Sequence, residues 1–240
     1  MTPTHVAVRQ RAKGIIKESW QSQANLSFFL VLQVLIAFIL PSLGFGKVHY
    51  QFYANMGFSI LLISGVAIGW GRRLVFPLGV VVGIVALVVR WLNWWEPTPK
   101  LTLVSDWCTL AAIIVIAMVL LAQVFRAGQV TPARLQGAIA VYLLFGLAWA
   151  HAYHITSILH PGSFNVTDGV LSTVADWIYF SYVTLTTVGY GDITPVLPIA
   201  RNLAVVEALT GQIYLAVLVA RLIAMEVIAW QEKASGAANR

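Results

Sequence analysis

The chain predicts an all-α membrane protein: six transmembrane helices, with a short re-entrant helix and loop between the fifth and the sixth. Three observations carry this. Only 10% of the 240 residues are charged and 59% are hydrophobic, whereas soluble domains average about 25% charged. Apolar stretches occur at 26–44, 53–70, 74–92, 103–125, 133–158 and 198–228, and roughly 20 helical residues cross a bilayer. The connections are short except for 159–197, which contains an unusual run, Thr186-Thr187-Val188-Gly189-Tyr190-Gly191-Asp192.

Residues 1–23 interleave Arg9, Arg11, Lys13 and Lys17 with Val6, Val8, Ile15, Ile16 and Trp20. This basic, weakly amphipathic segment is expected to lie on the inner membrane surface. A cleaved leader is not expected, because the apolar run from Leu26 to Leu43 is too long for one and no small-residue cleavage site follows. Residues 24–126 then form a four-helix transmembrane domain, 132–230 a second membrane unit, and 231–240 a short tail. Placing the N-terminus inside puts Arg72, Arg73, Arg126, Arg134, Arg221, Lys233 and Arg240 on the cytoplasmic side and leaves Lys47, Arg90, Lys100 and Arg201 outside. Both ends are therefore expected in the cytoplasm of a cell whose plasma or inner membrane holds the protein. Trp91, Trp94, Trp95 and Trp107 cluster at the second outer connection, where interfacial rings belong. The net charge of +6 is spread over these connections and forms no basic face, so no nucleic-acid partner is expected. Arg72-Arg73 and Arg126/Arg134 read as orientation signals in contact with membrane lipids. Cys108 stands alone in an apolar run and reads as an inert thiol.

In the long connection, His160-Pro161-Gly162 ends the fifth span and Asn165 to Gly169 reads as a polar loop. Thr173 and Asp176 have the spacing of a capping box that opens a short helix, Trp177 to Thr186, too short to cross. A half-length helix of this kind turns its partly negative C-terminal end toward the membrane centre, which favours a cation there. Thr187 to Gly191 must return as non-helical backbone, tolerated at depth only where protein buries it or it lines a watery path. The glycines supply the positive φ that aligned carbonyls require.

The residues Tyr-Phe-Ser-Tyr-Val-Thr-Leu-Thr-Thr-Val-Gly-Tyr-Gly-Asp-Ile-Thr-Pro from Tyr179, and the glycine-bearing helix to about Met225, resemble the pore module of tetrameric potassium channels. A TVGYG loop whose carbonyls replace the hydration shell of potassium is an established arrangement in those channels, matched here by resemblance. The resemblance implies a homotetramer. It also implies that Thr187, Val188, Gly189 and Tyr190 bind potassium through their carbonyls and the Thr187 hydroxyl, with Gly191 and Asp192 at the outer mouth. Gly211 falls at the hinge position of the inner helix, where close helix contact is an equal reading. Gln212, Leu215, Val219 and Ile223 match the cavity and gate positions. Tyr179 and Phe180 replace a supporting tryptophan pair, and Val183 replaces a buried glutamate of some relatives. Tyr179 retains a hydroxyl for Asp192, but Phe180 has no donor for Tyr190.

Six spans resemble voltage-gated channels, yet 103–125 carries Asp106 as its single charge. Sensing needs several charges per subunit, so steep voltage gating is not expected, and ten residues after Trp230 leave no room for a ligand-binding fold. Glu207, an ionisable group on the last span, reads as hydrogen-bonded to a pore-helix hydroxyl such as that of Tyr182 or Thr184, with gating as a second reading. His151 and His154 lie one turn apart, and interhelical hydrogen bonding is favoured over metal binding or proton sensing. Gly65, Gly69, Gly79 and Gly83 imply close packing of the second and third spans. No enzyme motif occurs, so no enzyme and no cofactor are expected, potassium being the permeant ion. The reading is passive potassium-selective conduction. The alternatives are a weakly selective cation channel and a potassium-coupled transporter subunit or ion sensor.

Overall fold

A computed structural model describes residues 24–43, 47–68, 75–126, 130–167 and 173–238. In chain order these form α1 (Ala24–Ser42), α2 (Lys47–Ile68), α3 (Val75–Trp95), α4 (Pro99–Val124), α5 (Pro132–Leu159), β1 (Phe164–Val166), α6 (Val174–Leu185), β2 (Ile193–Pro195) and α7 (Pro198–Ala238). The basic segment 1–23 and the Arg72-Arg73 connection lie outside the described residues.

Threonine-proline pairs set two of the helix starts. Thr98 and Thr131 accept hydrogen bonds from Leu101 N and Arg134 N, and each is followed by a proline, whose missing N–H costs nothing in a first turn. Within α1 the residues Leu35–Ile39 widen into a π-turn just ahead of Pro41, which cannot donate to the preceding turn. Among the described residues five helices are long and apolar enough to cross a membrane: α1, α3, α4, α5 and α7. The helix α2, at 22 residues, is not among these five. The structure is thus a mostly helical, multi-pass membrane protein.

The four-helix part packs on the second unit of its own chain. Helix α4 lies along α5, and one core runs through Phe58, Ile113, Leu120, Leu144, Leu147 and Ile178. Helix α1 reaches across as well: Gln33 Nε2 donates to the Ala140 carbonyl at 3.2 Å, and the Phe38 and Tyr182 rings are 4.9 Å apart. The glycine stripe serves two contacts. Gly83 meets Val66 of α2, whereas a Cβ on Gly65 would come within 2.5 Å of Ile116 on α4; Gly69 lies outside the described residues.

Helix α6 wedges between α5 and α7. Its start is the capping box the spacing implied: the Asp176 carboxylate accepts from Thr173 N at 2.9 Å. Part of the segment read as a loop is a strand, because β1 pairs antiparallel with β2 in the register Phe164↔Pro195, Asn165↔Thr194 and Val166↔Ile193. Thr167 N extends this ribbon to the Asp192 carbonyl at 3.0 Å. Helix α7 runs for 41 residues, about 60 Å at 1.5 Å per residue, and includes positions 231–238 that were read as tail.

Candidate functional site

The stretch after α6 is built by backbone alone. The last turn of α6 ends on Thr186, whose Oγ1 donates to the Tyr182 carbonyl at 2.6 Å. The Val183 carbonyl then accepts from both Val188 N at 3.0 Å and Gly189 N at 3.3 Å, and Thr187 N donates to Thr184 O at 2.9 Å. Thr187, Gly189 and Gly191 have φ of 59°, 58° and 84°, while Val188 and Tyr190 between them do not share the positive sign. Backbone handedness therefore alternates residue by residue. Thr187 is the one non-glycine with positive φ among the described residues, a conformation costing on the order of 1–3 kcal/mol that persists only where surroundings enforce it. The residues 186–192 are all exposed on the single chain, Tyr190 at 72%.

The supporting positions divide. Tyr179, exposed on the single chain, lies beside Asp192, whose carboxylate accepts a hydrogen bond from its hydroxyl. Phe180 turns the other way into an aromatic cluster, 4.8 Å from the Tyr153 ring and 5.6 Å from Phe164, and does not face Tyr190. Val183 contributes its carbonyl to the turn and is half-buried. A Cβ on Gly211 would lie 2.4 Å from the Leu185 carbonyl, so glycine is required there for α7 to approach the end of α6. Gln212, Leu215, Val219 and Ile223 are all exposed along α7.

Glu207 is fully buried and joins three helices. Its Oε1 is 2.6 Å from Ser181 Oγ on α6, and its Oε2 accepts a short hydrogen bond from Tyr153 on α5. A hydroxyl of α6 is the partner, but it is that of Ser181 and not of Tyr182 or Thr184; Tyr182 instead donates to the Leu143 carbonyl at 2.8 Å, its ring filling the notch left by Gly146. Ser181 also reaches the Gly146 carbonyl at 2.7 Å.

A second polar cluster links α4 to α5. Asp106 Oδ1 lies 2.9 Å from His151 Nδ1 and Oδ2 lies 2.7 Å from His154 Nδ1. The histidines thus make the expected interhelical contact. Beside them Arg90 of α3 is buried, its guanidinium 4.4 Å above the Phe58 ring. Neither the Asp106 partnership nor the inward turn of Arg90 was read from the sequence. The signals were there: one charge in the fourth span, and two histidines at helical spacing. No group of three His, Cys, Asp or Glu residues able to hold a metal occurs among the described residues.

Residues 137–227 match the family model described as an ion channel. The chain is similar to the rice (Oryza sativa subsp. japonica) two pore potassium channel c, 47% identical over 51 residues that cover 21% of this chain and 11% of that protein. It is also similar to protein LctB of Geobacillus stearothermophilus, 37% identical over 81 residues, covering 34% and 58%. A third relative is the inward rectifier potassium channel Kirbac3.1 of Paramagnetospirillum magnetotacticum, 36% identical over 74 residues, covering 31% and 22%. The chain therefore spans at most about three fifths of the length of these proteins. No solved structure matches. The match to the ion-channel model covers 91 of the 240 residues, and two of these relatives are named as potassium channels.

Proposed function

We propose, from the premise that residues 137–227 are an ion-channel domain akin to that of potassium channels, that four copies of this chain form a potassium-selective pore. The observation that carries the reading is the alternation of φ at Thr187, Gly189 and Gly191 directly beyond the C-terminal end of α6. Alternating left- and right-handed residues turn successive carbonyls to one side, which a single L-handed conformation does not. Four such strands, from re-entrant loops between the fifth and sixth spans, then stack rings of carbonyl and Thr187 hydroxyl oxygens that replace the water around potassium. The C-terminal partial charges of four α6 helices point at the same place.

The tetramer is supported by what one chain leaves uncovered. The 186–192 stretch and the α7 strip of Leu209, Ile213, Leu215, Val219 and Ile223 are exposed on the single chain, and a lone strand encloses no ion. Gln212 sits nearest the filter in this arrangement, with Val219 and Ile223 as an apolar constriction and Gly211 as the place where α7 is held to α6. The filter rests on Tyr179 at Asp192 and on the Glu207 junction, in place of a tryptophan pair. Conduction is passive, in the plasma or inner membrane, with both termini cytoplasmic, and not steeply voltage-gated. Purified protein in liposomes should pass potassium and rubidium and exclude sodium and lithium. Equal sodium flux would refute selectivity, and carrier-like turnover without single-channel currents would refute a pore.

A further inference from the structure

A cavity of about 570 Å³ opens at the end of the molecule that carries the β1–β2 ribbon, between α2, α3, α4, α5 and the start of α6. His154, Asp106, Arg90, Tyr50, Thr173 and Trp177 are in its lining. From this cavity the histidine pair differs sharply. His151 is 1% exposed, its Nδ1 bonds Asp106, and its Nε2 is buried with no partner, so a second proton there would be stranded. The His154 side chain is 23% exposed and lines the cavity, where water can reach it. Its Nδ1 is 2.7 Å from Asp106 Oδ2, yet the two atoms are off the line of a regular hydrogen bond. A neutral imidazole gains little from such a contact. An imidazolium gains full charge attraction, which does not need that alignment.

The other charged and titratable groups facing this pair are known. Asp106 comes from α4, Arg90 from α3, Tyr50 from α2, His151 from α5 and Asp176 from the first turn of α6. With the histidines neutral, Arg90 offsets only one of the two carboxylates, so one added proton takes these groups from a net charge of −1 to neutral. The added charge would form against α6. The His154 ring lies 6.0 Å from Trp177 at 31°, and Trp177 packs on Phe164 of β1 at 4.9 Å. Phe164 in turn pairs with Pro195, three residues beyond Asp192. A cation beside the indole face strengthens the first of these contacts.

We propose that His154, held against Asp106, is a proton-binding site through which acidity on the β-ribbon side of the membrane sets the activity of the pore. The functional half of this proposal rests on the channel reading; the proton site does not. The test is potassium current from protein oriented in planar bilayers, with pH varied from 8 to 5.5 on each side in turn, for wild type and His154→Gln. Open probability in the wild type should change about fivefold or more, the lower range of allosteric coupling, from one side only, and the variant should conduct without that response. A wild type indifferent to pH, or a variant that keeps the response, overturns the proposal. Thermal unfolding of the detergent-solubilised protein gives a readout that needs no current. The wild type should gain about 2–4 °C on acidification relative to His154→Gln. No such difference overturns the proton site, and the difference without current at any pH overturns only the channel reading.

Discussion

Replacing Glu207 by alanine removes the group on which α5, α6 and α7 converge. Two hydrogen bonds to a buried carboxyl are lost, each worth about 1.5–3 kcal/mol at the upper end, although interhelical bonds within membranes average nearer 0.6 kcal/mol. What is left behind decides between these values. Ser181 keeps the Gly146 carbonyl at 2.7 Å, so its hydroxyl stays satisfied. Tyr153 is fully buried with its hydroxyl on Glu207, and loses that partner at about 1–3 kcal/mol. The vacated volume adds about 1 kcal/mol, and relief from burying an ionisable group works in the other direction. The net is about 2–4 kcal/mol per subunit, or roughly 5–15 °C in the thermal midpoint at about 2–4 °C per kcal/mol. Glu207→Gln has the same shape; its amide can donate to Ser181 while Ser181 donates to Gly146, and its oxygen can accept from Tyr153. That variant should lose less than about 1 kcal/mol. Size-exclusion melting curves in detergent read the stability, and reversal potentials under potassium and sodium gradients read the filter. An alanine variant as stable and selective as wild type refutes the junction. A glutamine variant as damaged as alanine refutes the hydrogen-bond account in favour of charge.

Gly211→Ala puts a Cβ 2.4 Å from the Leu185 carbonyl, backbone against backbone with no side chain to yield. About 1–3 kcal/mol of destabilisation and a disturbed filter are expected, measurable as lower thermal stability with altered potassium-to-sodium permeability; a hinge role alone would change open probability and leave permeability intact. Charge movement should be close to absent in gating-current recordings, since the one charge of the apolar run 103–125, Asp106, is buried and tied to two histidines. Several elementary charges per subunit, each worth about 2.3 kcal/mol per 100 mV, would refute this.

Local chemistry was legible where one or two residues decide the outcome. Thr173 with Asp176 announces α6, and the glycines at 189 and 191 announce positive φ, whereas the threonine-proline starts of α4 and α5 went unread. The positive φ of Thr187 was not legible, because threonine does not prefer it and only the hydrogen bonds onto Val183 and Thr184 impose it. The partners of Glu207 depend on the rotation of three helices about their axes, so Ser181 was not distinguishable from Tyr182 one position along. Asp106 and His151 are 45 positions apart, and only the close lie of α4 on α5 brings them together. The β1–β2 ribbon is three residues per strand, too short for an alternation pattern to reveal.

That close lie of α4 on α5 also bears on how the proposed tetramer would be made. A newly inserted chain can bury Asp106, His151 and Glu207 using only its own helices, so the most expensive polar groups are settled while the subunit is still solitary. On the tetrameric reading proposed above, what it would present to its sisters is an apolar strip of α7 and a loop awaiting three others. Assembly is then the docking of finished pieces, a second-order step whose rate follows the density of subunits in the bilayer, and a subunit arriving late finds partners without having to be refolded around them.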